Sequence, residues 1–222
     1  MVFFFWPVSL FLVLVLILFI PFLLILFPLK VFETVLKRLG IPGHLVLFLF
    51  AASLLGSFIN IPIATWPVTE KVSIFKPGLG IFQPLFWGTT PDSEMVLAVN
   101  VGGAVVPVLI CLLLLPKAPI LPTIFSSAIS IGVCYSIARP VPGLGITIPT
   151  LIPPLVAILC AFLFSPRNRA PVAYISGVTG VLVGADLLHL FDIPVYRGVM
   201  SIGGAGVFDG IFLVGIFTAL FA

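Results

Sequence analysis

The chain has 222 residues, of which 61% are hydrophobic and only 8% are charged, against about 25% charged residues in ordinary soluble domains. So few charges cannot form a water-soluble surface, which excludes a soluble globular protein. The net charge of +3 comes from cations that mostly lie between apolar runs, where they anchor membrane segments and form no nucleic-acid patch. We therefore expect an all-α, multi-pass integral protein of the cell membrane whose surroundings are membrane lipid.

About seven apolar segments approach or exceed the roughly 20 residues that a helix needs to cross a hydrocarbon core of ~30 Å. They predict a single transmembrane domain over residues 1–222, built as a bundle of about seven helices. The first segment carries no cationic leader and no small-residue cleavage site, so we expect it to remain as a spanning helix. The predicted spans are residues 6–29, 43–64, 95–115, 119–138, 147–164, 171–191 and 199–221.

The connection 65–94 differs from the others. Its β-branched and aromatic residues flank Lys76-Pro77-Gly78-Leu79-Gly80, a sequence typical of a hairpin turn. Glu70, Lys71 and Lys76 interrupt every apolar stretch long enough to span. We expect this hairpin-like loop to lie at the membrane surface.

Proline and glycine break several predicted spans. The breaks occur after Asn60, after Asn100, at Pro149 to Pro154 and at Gly203 to Gly206. A break frees backbone polar groups that protein or water in a cavity must satisfy, although small residues also allow close helix packing. Since Asn60 and Asn100 each place an amide beside a break, they predict a polar interior.

Two acidic residues, Asp186 and Asp209, lie within the sixth and seventh predicted spans. A carboxylate at bilayer depth costs at least about 2.5–3.5 kcal/mol, so such a residue is a functional candidate by default. A connection of about seven residues makes the two spans antiparallel, and a rise of 1.5 Å per residue places both acids at similar depths. Two carboxyl groups in contact can hold one shared proton, the arrangement that aspartic proteases use.

Acids on the sixth and seventh helices, the second between Gly206 and Gly210, resemble those of the GxGD-type intramembrane aspartyl proteases. These include presenilin, signal peptide peptidase and, more distantly, prepilin peptidase. The resemblance implies that Asp186 and Asp209 are catalytic and that the substrate is a transmembrane or membrane-proximal peptide, with no cofactor. The Pro-Ala-Leu motif of these proteases is absent here, and the proline-rich segment Pro149 to Pro154 offers a similar element. Supporting roles are predicted for Gly206, Gly210, His189, Asn100 and Asn60.

Three alternatives use the same residues. In a secondary transporter or ion-translocating protein, both acids with Asn60 and Asn100 form a cation or proton site; a homo-oligomer is left open because two gates usually need more helices. The second alternative is a metal hydrolase that uses Asp186 and His189, which share one helix face. These two residues fall short of the three protein ligands of catalytic zinc. We therefore predict no metal, and a His189 that is hydrogen-bonded near Asp186. The acids are purely structural in the third alternative.

The segments INIPI, NVGGAVVP, GADLL and GGAGVFDGIF also resemble an uncharacterised prokaryotic family of small multi-pass membrane proteins. That resemblance implies no activity.

Overall fold

The structure is a computed structural model that describes residues 6–68, 94–141, 145–190, 192, 198–204 and 210–222. Most of the described residues are helical, and short strands join the helices. The α-helices are α1 (Trp6–Arg38), α2 (Gly43–Gly56), α3 (Val106–Leu114), α4 (Ile120–Ile137), α5 (Ile152–Phe164), α6 (Arg169–Thr179) and α7 (Gly210–Phe221). The strands are β1 (Asn60–Pro67), β2 (Glu94–Asn100), β3 (Arg139–Val141), β4 (Gly145–Thr147) and β5 (Gly198–Ile202).

Two π-helices and one 3-10 turn complete the described elements. The first π-helix (Val101–Val105) leads into α3, and the 3-10 turn (Leu115–Lys117) ends that helix. The second π-helix (Gly180–Leu187) continues α6. π-helical turns often mark functional positions; Asn100 directly precedes the first, and Asp186 lies in the second.

Three strands form one sheet in the order β1-β2-β5. β1 runs antiparallel to β2, from the pair Asn60 and Asn100 to the pair Pro67 and Glu94, with an irregularity between Pro62 and Ala64. β2 runs parallel to β5. This sheet lies at one end of the helical bundle, because α2 leads into β1 and β2 leads through the first π-helix into α3.

The sheet corrects the expectation of an all-α protein. The predicted spans 43–64, 95–115 and 199–221 each contain a strand, and the last of them begins with β5 instead of a helix. An apolar run of this length is compatible with a buried strand or with a helix, so its hydrophobicity alone did not separate them. The antiparallel pairing of β1 and β2 shows that the predicted loop 65–94 joins two paired strands; its residues 69–93, including the predicted turn, lie outside the described residues.

Two described helices are long and apolar enough to cross a membrane, Ile120–Ile137 and Arg169–Leu187. They confirm the helices predicted at 119–138 and 171–191. Other predicted spans contain shorter apolar helices, including Gly43–Gly56 and Ile152–Phe164. The first predicted span, 6–29, lies within the longer helix α1. The structure therefore shows a mostly helical chain with two candidate membrane spans.

α6 lies at the centre of the bundle and packs against α3, α4, α5 and α7. All seven of its residues from Val172 to Val178 are buried. The second π-helix packs closely on α4, where a Cβ added to Gly184 would lie 2.5 Å from the Ile131 carbonyl oxygen. Gly180 and Gly184 have the four-residue spacing that allows helix backbones to approach in membranes. This contact fixes the position of Asp186, two residues further along.

α4 has a polar buried face and an apolar exposed face. Its buried residues are Thr123, Ser126, Ser130 and Cys134. Its exposed large side chains are Ile120, Leu121, Ile124, Phe125, Ile129 and Tyr135. This distribution is the reverse of a helix on the surface of a water-soluble protein, in which the apolar stripe faces the core.

Candidate functional site

Asn100 is the most deeply buried polar residue near the sheet, with a relative exposure of 0%. It ends β2 and caps the first π-helix, where its Oδ1 accepts a hydrogen bond from the Gly103 N–H at 2.7 Å. Its Nδ2 donates to the Ser57 carbonyl oxygen at 2.8 Å and to Asn60 Oδ1 at 3.2 Å. Because one end of the amide meets a backbone donor and the other a backbone acceptor, its orientation is fixed.

Asn60 connects all three strands of the sheet. It lies opposite Asn100 in β1, and its Oδ1 also accepts a hydrogen bond from Ser201 Oγ of β5 at 2.5 Å. Since Asn100 presents its Nδ2, Asn60 must present its oxygen in return, and the buried Asn60 Nδ2 then has no partner among the described residues. Asn60 and Asn100, the two amides from which a polar interior is predicted, thus belong to one hydrogen-bonded network.

The backbone after β5 packs against the first π-helix without room for side chains. A Cβ on Gly103 would lie 2.0 Å from the Gly203 carbonyl oxygen, and one on Gly203 would lie 2.6 Å from the Ala104 nitrogen. Gly203 also has a φ of +84°, a left-handed conformation that glycine adopts without steric cost. Two of the predicted breaks, after Asn100 and at Gly203, therefore meet in space.

Asp186 contacts this same junction. It lies in the second π-helix, is half-buried, and its Oδ2 accepts a hydrogen bond from the Gly203 N–H at 3.1 Å. A carboxylate that accepts from a backbone N–H makes one of the stronger hydrogen bonds in proteins. Gly203 stands six positions before Asp209 in the sequence. Asp209 and Gly206 lie outside the described residues, so the predicted pairing of the two carboxyl groups stays a prediction.

His189 caps the second π-helix. Its Nδ1 lies 3.2 Å from the Gly184 carbonyl oxygen and 3.1 Å from that of Ala185. Both partners are acceptors, so Nδ1 carries the proton and donates it. The ring packs on Tyr135 of α4 with 4.7 Å between centroids. His189 thus bonds the backbone just before Asp186, and among the described residues no three His, Cys, Asp or Glu side chains are placed to hold a metal ion.

A small cavity of about 250 Å³ opens beside the start of α7. Its lining brings together β4, the start of α5, the second π-helix and α7, through Thr147, Thr150, Pro153, Val181, Gly210 and Val214. Gly210 directly follows Asp209 in the sequence, and a Cβ at Gly210 would meet no described atom within 4 Å. The proline-rich segment Pro149 to Pro154 and the predicted supporting residue Gly210 therefore line the same cavity.

Three residues of this site gave no legible signal in the sequence. Ser57 and Ser201 are ordinary serines in apolar surroundings, and their contacts to Asn100 and Asn60 depend on strand pairing. Gly203 belonged to a glycine-rich break, but nothing in the sequence indicated that its N–H meets Asp186. These contacts join positions more than 15 residues apart, so local patterns do not predict them.

Residues 54–221 match the family described as "Protein of unknown function (DUF1614)", and the chain belongs to this family. The match includes every candidate site residue, from Asn60 to Gly210. No curated protein and no solved structure matches the chain.

Proposed function

We propose that this member of the DUF1614 family is a multi-pass membrane hydrolase of the aspartyl protease type, with Asp186 and Asp209 as its catalytic pair. The observation that carries the proposal is the hydrogen bond from the Gly203 N–H to Asp186 Oδ2. This bond holds Asp186 against Gly203, and Asp209 follows Gly203 by six positions in the sequence.

The membrane setting is supported by the exposed surface of the helices. Large apolar side chains point outward along several helices, for example Leu47 and Phe48 of α2, Leu159 and Leu163 of α5, and Ile120 of α4, all more than half exposed. So many large apolar side chains exposed along helices are typical of a surface that lies against an apolar environment or a partner. The buried side of α4 carries hydroxyl groups instead. Such an arrangement suits a bundle surrounded by lipid with a polar interior.

The chemistry follows from placing two carboxyl groups in a site of low dielectric constant. Only one of them ionises readily, so the pair retains a proton. The ionised acid then accepts a proton from an attacking water, while its protonated partner donates to the carbonyl oxygen of the scissile peptide bond. The hydrogen bond from Gly203, whose backbone packs against Ala104, supports Asp186 as a positioned member of this pair.

The cavity beside Gly210 supports a peptide as the substrate. At about 250 Å³ it is smaller than the 300–1,000 Å³ typical of small-molecule sites. It has room for one or two side chains of a longer chain that otherwise remains outside. Thr147 and Thr150 line it; the Thr147 hydroxyl already donates to the Arg139 carbonyl oxygen at 3.2 Å, which leaves Thr150 as the polar side chain for a peptide backbone.

The alternative cation site receives less support from the geometry. Asn100 Oδ1 already accepts from Gly103, and Asn60 Oδ1 accepts from both Asn100 and Ser201. A cation at this position would need those oxygens as ligands. The amides act instead as a scaffold that joins the sheet to the first π-helix.

The test is cleavage of transmembrane peptides by the purified protein. A library of single transmembrane helices with helix-breaking residues is incubated with wild type, Asp186→Asn, Asp209→Asn and the double variant. Each single substitution is expected to abolish cleavage, and the double variant should be no worse, because the two acids act as a unit. Asp192→Asn is the matched control, since Asp192 is exposed and should be dispensable.

Two outcomes would overturn the proposal. If the wild type cleaves no peptide while reconstituted vesicles show ion or solute flux that depends on Asp186 and Asp209, the protein is a transporter. If the asparagine variants lower thermal stability without changing cleavage or flux, both acids are structural.

A further inference from the structure

The end of the bundle opposite the sheet collects positive charge from three separate segments. α2, α3 and α6 each have one end at the sheet or at a π-helix and the other at this end. Here the end of α1 contributes Arg38, and the 3-10 turn after α3 contributes Lys117. The start of α6 and the residues just before it contribute Arg169 and Arg167. These four side chains line an open pocket of about 870 Å³, which we call the basic pocket.

The basic pocket is a built feature, because its side chains also hold the surrounding segments together. Lys117 Nζ donates to the carbonyl oxygens of Leu39 and Gly40, and Arg38 Nη1 donates to that of Leu220 in α7. Asn168 Nδ2 donates to the Lys117 carbonyl oxygen at 3.1 Å. These partners are neutral carbonyl groups, so they orient the cations without neutralising them.

The four cations lack a carboxylate partner among the described side chains. The two ion pairs found there both belong to Glu33, which pairs with Lys30 and Lys37. Arg169 stacks over the Phe162 ring at 4.3 Å from its centroid, and its buried Nε has no hydrogen-bond partner among the described residues. A buried donor without a partner is costly, and Arg169 lines the pocket with a charge that no described carboxylate neutralises.

The first turn of α6 adds further donors. Asn168, at the N-cap, makes no side-chain hydrogen bond to the helix, and Arg169 and Ala170 of the first turn line the basic pocket. Free N–H groups and the helix dipole at an N-terminus favour an anion. The donor set, with planar arginine groups beside backbone N–H groups, matches the oxygens of a phosphate group.

The lipid-facing surface begins next to the basic pocket. Ile120 and Leu121, at the start of α4, are 74% and 68% exposed and follow Lys117 by only a few residues. A basic pocket at the boundary between exposed apolar helices and a polar end is typical of a site for an anionic lipid headgroup. Its volume exceeds that of a phosphate group alone.

We propose that the basic pocket binds the phosphate group of an anionic phospholipid, held by Arg38, Lys117, Arg167 and Arg169. The site lies at the opposite end of the bundle from Asp186, and it does not depend on the hydrolase proposal. Free phosphate would make the same contacts, and the experiment below distinguishes it from the lipid as the ligand.

The experiment measures binding to the purified full-length chain in neutral detergent. Short-chain phosphatidylglycerol, short-chain phosphatidylcholine and inorganic phosphate are titrated separately while the thermal unfolding midpoint is followed. Phosphatidylglycerol is expected to raise the midpoint in a saturable way, and the other two probes should have little effect. Arg167→Gln should weaken phosphatidylglycerol binding about fivefold, which corresponds to about 1 kcal/mol for one cation near a lipid surface.

Arg167 is the best site for the variant because it is exposed and makes no hydrogen bond among the described residues, so its loss should not disturb folding. Arg167→Lys should retain most of the binding, and Arg139→Gln, which removes an exposed cation at the start of β3, should bind like the wild type. Equal binding by Arg167→Gln and wild type would overturn the site. Inorganic phosphate binding as tightly as phosphatidylglycerol would overturn the lipid as its ligand.

Discussion

The sheet end and the basic end of this molecule use polar groups in opposite ways, although both lie at the ends of the same helices. At the sheet end, Asn60, Asn100 and Ser201 bond mainly to one another and to backbone groups. At the basic end, Arg38 and Lys117 bond to backbone carbonyls and keep their charge. Paired groups position the backbone, whereas charged groups left with spare donors are available to bind a ligand.

The glycines of the two ends differ in what surrounds them: backbone atoms at the sheet end and side-chain atoms at the basic end. A Cβ on Gly102 would lie 2.1 Å from the Ser53 carbonyl oxygen, which is backbone that cannot move aside. At the basic end, a Cβ on Gly40 would first meet the tip of the Lys117 side chain at 3.2 Å. The sheet end is therefore packed backbone to backbone, and the basic end is bordered by side chains that can shift.

The largest expected effect is that of Gly103→Ala. The new methyl group would overlap the Gly203 carbonyl oxygen and separate the first π-helix from the residues that contact Asp186. Overpacking usually costs about 1–3 kcal/mol, and a backbone obstacle on a rigid element places this variant at or above about 3 kcal/mol. The measurement is the thermal unfolding midpoint in detergent. Gly132→Ala, which meets no described atom within 4 Å, is the control and should stay near the wild type.

Two asparagines allow the comparison between the ends to be tested with one kind of substitution. Asn100→Ala removes three hydrogen bonds from a fully buried position and leaves the Gly103 N–H without a partner, at an expected cost of about 2–3 kcal/mol. Asn168→Ala removes one exposed hydrogen bond and should cost less than about 0.5 kcal/mol. Similar losses of unfolding free energy for both variants would contradict the distinction.

Some of the fold could be predicted because the signal lay within one segment. The helix expected at 119–138 is α4, Ile120–Ile137, since this stretch is apolar throughout and proline and a charge flank it. The stretch 95–115 is equally apolar, but it begins as β2 and becomes helical only after Asn100. Its partners in the sheet, β1 and β5, are distant in the sequence, and pairing between distant segments leaves no local pattern.

The candidate site could be predicted in part, because some of its residues are polar side chains within apolar segments. Asn60, Asn100 and Asp186 stood out because polar groups in apolar segments need partners, and the structure places all three near one junction. The partners themselves, Ser57, Ser201 and Gly203, are common in such segments for packing reasons. The basic pocket was missed because its four cations come from three stretches that are distant in the sequence, and charges at the ends of apolar segments are ordinary there.

Gly210→Ala should separate stability from activity at the sheet end. The glycine begins α7 and a Cβ there would meet no described atom within 4 Å, so alanine should leave stability unchanged or raise it by up to about 1 kcal/mol. The methyl group would reduce the cavity of about 250 Å³, and peptide cleavage is expected to fall. Unchanged cleavage with unchanged stability would show that this cavity is not used by the substrate.

The smallest expected effect concerns Glu33, at the basic end. Hydrogen bonds and charge from Lys37 and Lys30 lower the pKa of Glu33 from 4.5 to about 2. A carboxyl group with a lowered pKa in the folded state contributes stability that is complete above its ordinary pKa and is lost as the pH falls towards 2. The side chain is partly exposed, so the contribution is small and is screened by salt.

The measurement for Glu33 is the thermal unfolding midpoint of wild type and Glu33→Gln at low salt, from about pH 6 to about pH 3. The wild type should lose slightly more stability over this range, since glutamine has no proton to gain. High salt should remove most of the difference, because it screens exposed ion pairs. If both proteins respond to acid identically at low salt, Lys30 and Lys37 do not stabilise this end of α1 through Glu33, and their charge is as free to attract an anion as that of the basic pocket.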